Sequence, residues 1–281
     1  MQAHANNLYS LSGNRFLSRM AYALKNSRPQ ETATKPALLR PILLLLFTCS
    51  LLPASHAGQY VIGVEQLDYY PIYEGKGHEY RGFARELLDM FAAEHGHTFI
   101  YKPMPVKRLF DRFIKGELDF KYPDNPNWSA SDKAAVSILY SDTTLKAYDG
   151  LMTRTSGATT STEQLTRIST IRGFTPWAYF DAINSGTLKV QEVNSLDAAL
   201  NVVKAGRAQG AYANIAVAQD RLRKAGNNDF VFNRNLPYVE SDFKLSTQRH
   251  TDVIAAFNQF MKANQVAIEA LKDKYQVNVS D

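Results

Sequence analysis

Apolar residues recur along the chain in two rhythms, and the rhythms alternate. Tyr60-Val61-Ile62-Gly63-Val64 is short, apolar and β-branched, which predicts a buried strand. A turn-rich loop follows over Glu65 to Gly82. Phe83, Leu87, Leu88, Met90 and Phe91 then fall at helical spacing, and Gly96 closes that helix. Thr98 to Tyr101 is a second strand. Val106 to Lys115 is a helix with Leu109, Phe110, Phe113 and Ile114 on one face. Leu118 to Phe120, Val136 to Tyr140 and Tyr148 to Thr153 read as further strands. The small polar stretch Thr155 to Thr162 predicts a surface loop that opens a second unit.

The alternation then resumes. Ile168 to Ile171 is a strand, followed by a helix over Trp177 to Ile183 behind Pro176, a good first-turn residue. Leu188 to Val193 is a strand. Ser195 caps a helix over Leu196 to Ala205, and Gly206 ends it. Gly210 to Ala213 is a strand, Ala216 to Lys224 a helix, and Phe230 to Phe232 and Phe243 to Ser246 are strands. Asp252 to Tyr275 reads as one long helix. Strand–helix repetition of this kind predicts an α/β protein with helices on the faces of parallel sheets. Two such units suggest two lobes, and the cleft between them is the expected ligand site.

One segment does not belong to this pattern. Ile42 to Leu52 is an apolar run of 11 residues, preceded by Arg40 and followed by Pro53-Ala54-Ser55-His56-Ala57. A positive flank, a short apolar core and a small-x-small site predict a secretory signal cleaved after Ala57. A transmembrane helix needs about 20 apolar residues. The lead-in is long, and Met20 is an alternative start to Met1. The segment 1–57 holds six of the 32 Lys and Arg and one of the 27 Asp and Glu, so the rest of the chain is balanced in charge. The basic excess is therefore a property of the leader and gives no reason to expect a nucleic-acid partner. The single cysteine, Cys49, also lies there. Phe47 and Thr48 stand where lipid-attachment sites take small residues, which argues against lipidation of Cys49. Without it the chain has no thiol and no cysteine metal site.

Several segments in order carry a resemblance. Val61-Ile62-Gly63-Val64 leads to Tyr69-Tyr70-Pro71, then Arg81-Gly82-Phe83 with Glu86-Leu87. Gly116-Glu117-Leu118-Asp119, Leu139-Tyr140-Ser141-Asp142 and Gly206-Arg207-Ala208-Gln209-Gly210-Ala211-Tyr212 follow. In order and spacing they resemble the periplasmic solute-binding proteins of ABC importers, in the amino-acid-type (family 3) branch, from Gln59 to about Tyr275. The resemblance implies a two-lobed periplasmic-binding-protein fold of type II, with two parallel or mixed sheets flanked by helices. It implies two hinge crossings, near Ala147–Leu151 and Glu240–Lys244. Lobe 1 would be residues 58–147 plus 244–281, and lobe 2 residues 148–243. Binding would close the lobes by hinge motion. The implied setting is the periplasm, and the implied partners are a small-molecule ligand and an inner-membrane ABC permease or sensor receptor. No cofactor, metal or catalytic residue is implied, and a monomer is expected.

The resemblance also points to ligand positions. An arginine upstream of the crossing Ser-Asp anchors a carboxylate in the family, and Lys133 is the nearest cation here. A lysine supplies charge without the planar two-donor fork. An acid holds the ligand amine at the position matched here by Asn214, and an amide cannot neutralise an ammonium. Both departures favour a neutral, polar or differently charged solute over an ordinary α-amino acid. Tyr69 or Tyr70 either stacks on the ligand or packs the loop. Arg108, in the first turn after Pro105, either reaches the cleft or is a solvated helix end. Lys121, Asp124 and Trp128 follow the third strand, a carboxyl end, with Trp128 either a platform or a lid over the core. Arg172, Phe174 and Thr175 join a strand to a helix start, which either receives an anionic oxygen or is an ordinary cap.

Enzyme readings are weaker. Ser241-Asp242-Phe243-Lys244 has Ser-x-x-Lys spacing, but it reads as a strand and not as the helix start that chemistry needs. Gly75-Lys76-Gly77 lacks a phosphate-loop frame. His95-Gly96-His97 reads as a solvated loop and not a metal site. The expected function is capture of a small polar solute in an interlobe cleft for ABC-type uptake. The alternatives are a sensing module that signals to a membrane receptor and, behind it, an enzyme using the cleft.

Overall fold

The computed structural model describes residues 57–156 and 161–279, all within one compact unit that the chain forms over 52–281. The proposed signal, Met20 and Cys49 lie outside the described residues, as does part of the Thr155–Thr162 loop.

The first strand, β1 (Gln59–Glu65), has its apolar centre fully buried and pairs in parallel with β5 (Thr98–Met104) and β6 (Phe120–Asp124). Between β1 and β5 the chain forms β2 (Asp68–Tyr69), β3 (Tyr73–Lys76) and β4 (Glu79–Arg81), a three-stranded antiparallel sheet where a turn-rich loop was expected. Tyr73 and Tyr80 stack at 6.1 Å and are buried, so aromatic packing orders a segment whose polarity suggested a loop. Gly82 then starts α1 (Phe83–His95) with φ 107°. A Cβ there would lie 2.9 Å from the carbonyl oxygens of Pro71 and Ile72, so only glycine allows this approach. Phe83, Leu87, Leu88 and Phe91 form the buried face of α1, as their spacing predicts.

After β5 come α2 (Val106–Ile114), β6, the short helix α3 (Ala130–Lys133), β7 (Leu139–Tyr140) and β8 (Leu145–Arg154). β6 begins at Phe120 and not Leu118, and β7 covers only the end of the expected Val136–Tyr140 strand. A 3₁₀ turn, Thr162–Gln164, precedes β9 (Arg167–Ile171). The helix expected over Trp177 to Ile183 starts as a 3₁₀ turn, Trp177–Tyr179, and continues as α4 (Phe180–Asn184). Then follow β10 (Lys189–Val193), α5 (Leu196–Lys204), β11 (Gly210–Asn214), α6 (Ile215–Lys224), β12 (Phe230–Phe232) and β13 (Val239–Thr247). The Ser195 hydroxyl accepts from Ala198 N at 3.2 Å, the predicted cap of α5. The long C-terminal helix is two helices, α7 (Thr251–Ala263) and α8 (Gln265–Tyr275), broken at Asn264, whose side chain donates to Phe260 O at 3.1 Å.

The main sheet has the order β10-β9-β11-β8-β13-β6-β1-β5, with β7 and β12 pairing β13 and β8 off this path. It is mixed. β1, β5 and β6 are mutually parallel, as are β9, β10 and β11, while β8 and β13 run antiparallel to their neighbours. These two strands join the groups. β13 pairs β8 over Val239 to Phe243, then β6 and β7 from Lys244 on, with a register irregularity between Lys244 and Ser246. β8 pairs β13 over Leu145 to Asp149 and β11 over Asp149 to Met152. Asp149 is thus the residue at which β8 passes from one partner to the other. Among the described residues no helix is long and apolar enough to cross a membrane.

Candidate functional site

Buried charge concentrates where the two strand groups meet. At the carboxyl end of β6, Asp124 is fully buried and every contact to it is a donor. Its Oδ1 accepts from Lys121 Nζ at 3.0 Å, Lys133 Nζ at 2.8 Å and Asn125 N at 2.9 Å, and its Oδ2 from Ser246 Oγ at 2.7 Å. Burial alone raises a carboxyl pKa. Here the Lys121 charge and the donors Lys133 and Ser246 outweigh it and hold Asp124 below the usual carboxylate range. The same burial pushes Lys133 down, against the opposing pull of Asp124. Lys133 Nζ also donates to Asn125 O at 2.7 Å and lies 5.3 Å from the Tyr140 ring centroid. Lys133, the nearest cation to the anchoring position, is therefore committed to an internal ion pair. Lys121 is also committed, to Asp124 and to Pro123 O at 2.7 Å.

Glu65, the last residue of β1, faces this cluster. Its carboxyl accepts from the Tyr73 hydroxyl and is raised, first by burial, with Lys121 and the Tyr73 hydrogen bond opposing. Tyr69 links it to a second acid. Tyr69 lies close to the Asp149 carboxyl, and its own pKa is raised first by burial and then by the charges of Asp149 and Glu65. Asn214 Nδ2 donates to Asp149 Oδ1 at 3.0 Å, across the paired positions Asn214 and Asp149 of β11 and β8. Asn214 Oδ1 accepts from Val217 N at 3.3 Å and so also caps α6. Burial raises the Asp149 pKa to about 6, with the Asn214 and Tyr69 hydrogen bonds opposing. Asn214 itself carries no charge, but its cross-strand neighbour does.

The other predicted residues are arranged as follows. Trp128 packs edge-on against Phe243 of β13 at 5.6 Å, with Lys121 Nζ 5.6 Å from its ring centroid. Phe174 lies 5.7 Å from the Tyr212 ring, and Tyr212 feels the Asp149 charge. Tyr70 does not join the acids. Lys224 Nζ of α6 sits 3.9 Å from its ring centroid, and nearby Arg221 pairs Asp68 at 3.2 Å. Arg108, Arg172 and Thr175 are exposed and make no side-chain hydrogen bond or ion pair among the described residues. Thr175 is followed by Pro176, which caps the 3₁₀ turn and has no N–H to offer. His95 and His97 are half-buried and not simply a solvated loop: their rings lie 4.6 Å and 5.6 Å from Phe91, and His97 Nδ1 accepts from Gly58 N at 3.2 Å. No group of three metal-ligating side chains occurs among the described residues.

Two residues of this constellation, Glu65 and Asp149, escaped the sequence reading. Each had a signal. Glu65 is an acid at the carboxyl end of an otherwise apolar strand, and Asp149 interrupts the run Tyr148 to Thr153. The arrangement holds two acids of raised pKa and one phenol between the strand groups, beside a lysine–aspartate cluster of settled charge. It suits recognition of a hydrogen-bond donor or a cation.

No protein-family model matches the chain, and no curated protein matches it. Solved structures do match in fold. The L-cystine solute receptor of Neisseria gonorrhoeae, in an unliganded open conformation, aligns with TM-score 0.61 at 14% identity, over 81% of this chain and 98% of that one. A histidine kinase sensor domain with similarity to periplasmic binding proteins aligns with TM-score 0.58 at 16% identity, over 77% and 95%. The ancestral amino acid-binding protein AncCDT-1, a precursor of cyclohexadienyl dehydratase, aligns with TM-score 0.58 at 17% identity, over 78% and 95%. The chain thus has a mixed α/β fold that it shares with amino-acid-type periplasmic binding proteins.

Proposed function

We propose that this chain is a periplasmic solute-binding protein that captures a small polar solute bearing an ammonium or comparable donor group. The observation that carries the reading is the Asp149–Asn214 hydrogen bond at the point where β8 changes partner, with Tyr69 of β2 beside it. Asp149 and Glu65 would accept from the ligand's donors, and Tyr69 would cover its apolar part. Residues 58–147 plus 244–281 would form one lobe and residues 148–243 the other. The segments Ala147–Leu151 and Glu240–Lys244, within β8 and β13, would be the hinge. Delivery would be to an ABC permease of the inner membrane, after removal of the leader at Ala57.

A second reading has support of its own. The fold is shared with a histidine kinase sensor domain, so the closed state would instead be read by a membrane receptor. Neighbouring permease and ATPase genes favour uptake, and a neighbouring sensor kinase favours signalling. A thermal-shift screen tests capture itself, because a specific binder raises Tm by mass action. The expected result is a saturable rise with an amine-bearing solute that Asp149→Asn abolishes, with the solute recovered unchanged. Failure of amino acids, oligoamines, organic acids and sugars alike would overturn the proposal.

A further inference from the structure

The largest exposed aromatic surface lies away from the acids described above. Trp177 is 64% exposed and Phe180 42%, yet their rings stack on each other at 5.1 Å with an interplanar angle of 29°. The stacked pair presents its outer aromatic faces to water, an arrangement with a solvation cost unless something covers it. They line a cavity of about 490 Å³, within the range that takes small ligands. Glu163 and Asp181 line the same cavity, and among the described lining residues there is no Lys, Arg or His. Neither acid has an ion-pair partner among the described residues. Glu163 is held below its ordinary pKa by the Ser161 hydroxyl, its own backbone N–H and the Thr162 hydroxyl, so it is ionised at neutral pH. Tyr179, also in the lining, has a buried hydroxyl with no hydrogen-bond partner among the described residues.

An aromatic platform beside uncompensated carboxylates is complementary to one chemistry. The quadrupole of an indole face attracts positive charge, most strongly when the cation is weakly hydrated. A compact ammonium would stay in water. An alkylated ammonium brings apolar groups to the rings and charge to the acids. We propose that this cavity is a second ligand site, separate from the interlobe acids, that takes an alkylated organic cation. Trp177 and Phe180 are its platform, and Glu163 and Asp181 its counter-charge.

Choline and its neutral isostere 3,3-dimethyl-1-butanol are the probes, titrated calorimetrically into the full chain at low salt. Indole N–H resonances provide the second measurement, because the sequence has two tryptophans and Trp177→Phe assigns one of them. Choline is expected to bind saturably and shift the Trp177 resonance, and the isostere to bind about tenfold more weakly or worse. Trp177→Ala, and separately Glu163→Gln with Asp181→Asn, should each weaken choline about tenfold, while Arg221→Ala, outside both sites, leaves it unchanged. Trp177, Glu163 and Asp181 are exposed, so their variants keep the fold, and an unchanged Tm checks this. Equal binding of choline and isostere, or no saturable binding, would overturn the site. So would loss of choline binding on Asp149→Asn with none on Trp177→Ala.

Discussion

Replacing Asp149 by asparagine separates stability from binding at one position. The carboxyl rises from 3.8 to about 6 in the folded chain, chiefly because burial disfavours its charge. A raised folded pKa means that the native state binds more protons than the unfolded state between about pH 4 and 6. The associated stability is therefore fully present below about pH 4, is lost as pH rises through 6, and stays lost at neutral pH. The shift of about two pH units corresponds to about 3 kcal/mol at about 1.4 kcal/mol per unit. Asparagine has the same shape and no charge to bury. It keeps one oxygen for Tyr69 or Asn214 and loses the other acceptor, which costs about 1 kcal/mol. The variant should thus be more stable than the parent by about 2 kcal/mol at pH 7.5, and the gain should give way to a deficit of under about 1 kcal/mol towards pH 4, where the lost acceptor dominates.

Urea unfolding of both proteins at pH 4, 5, 6 and 7.5 measures this, and the difference between them cancels the other titrating groups. Two results would contradict a buried, charge-averse Asp149. One is a variant less stable than the parent at pH 7.5. The other is a difference that does not change with pH, which would mean that Asp149 is already accommodated as an ion. The same substitution should abolish capture of an amine-bearing solute while Tm rises. In the parent protein, affinity for such a solute should fall about tenfold per pH unit below pH 6, as Asp149 takes up its proton.

Four other outcomes are expected. Lys133→Ala leaves fully buried Asp124 with one ammonium fewer and should destabilise by about 3 kcal/mol in urea unfolding; an unchanged stability would mean that Lys121 alone suffices. Ser246→Ala removes the 2.7 Å donor to Asp124 Oδ2 and should cost about 1–2 kcal/mol, with the acid limb of stability moving to higher pH because the Asp124 pKa is less depressed. Gly82→Ala puts a Cβ 2.9 Å from two carbonyl oxygens at φ 107°, so Tm should fall by several degrees; a neutral effect would mean that the entry to α1 rearranges freely. Arg221→Ala removes the exposed pair with Asp68 and should change stability by less than about 1 kcal/mol, with the difference shrinking in high salt.

What could be read from the sequence, and what could not, follows from the range of the interactions. β1, α1, α5 and β12 are set by local periodicity and caps, and their ranges agree with expectation to within a few residues. The sheet β2-β3-β4 is not, because Tyr73 and Tyr80 are buried by Phe243 and Tyr101, residues far away along the chain. The break at Asn264 is likewise a side-chain bond to Phe260 O within a stretch whose composition favours helix throughout. The site divides in the same way. Position along the fold points to Tyr69, Lys121, Asp124, Lys133 and Asn214, and the structure does bring these into two touching clusters. Their charge state is a different matter, because it depends on pairing.

Lys133 looked like a cation awaiting an anion, and Asn214 like an amide where an acid was needed. Only the folded structure reveals that Asp124 already neutralises Lys133 of α3, and only cross-strand register that Asp149 stands beside Asn214. The resulting balance has a direction. The lysines are satisfied internally, whereas Asp149 and Glu65 are acids whose pKa values burial raises, each with only neutral hydrogen-bond donors in direct contact. A cation entering between them would lower both pKa values and recover the electrostatic energy that burial withholds. An anion would find the nearby ammonium groups occupied and would raise both pKa values further. Proton release on binding therefore distinguishes the two: an amine-bearing solute should expel protons at pH 6, and an anion should take them up.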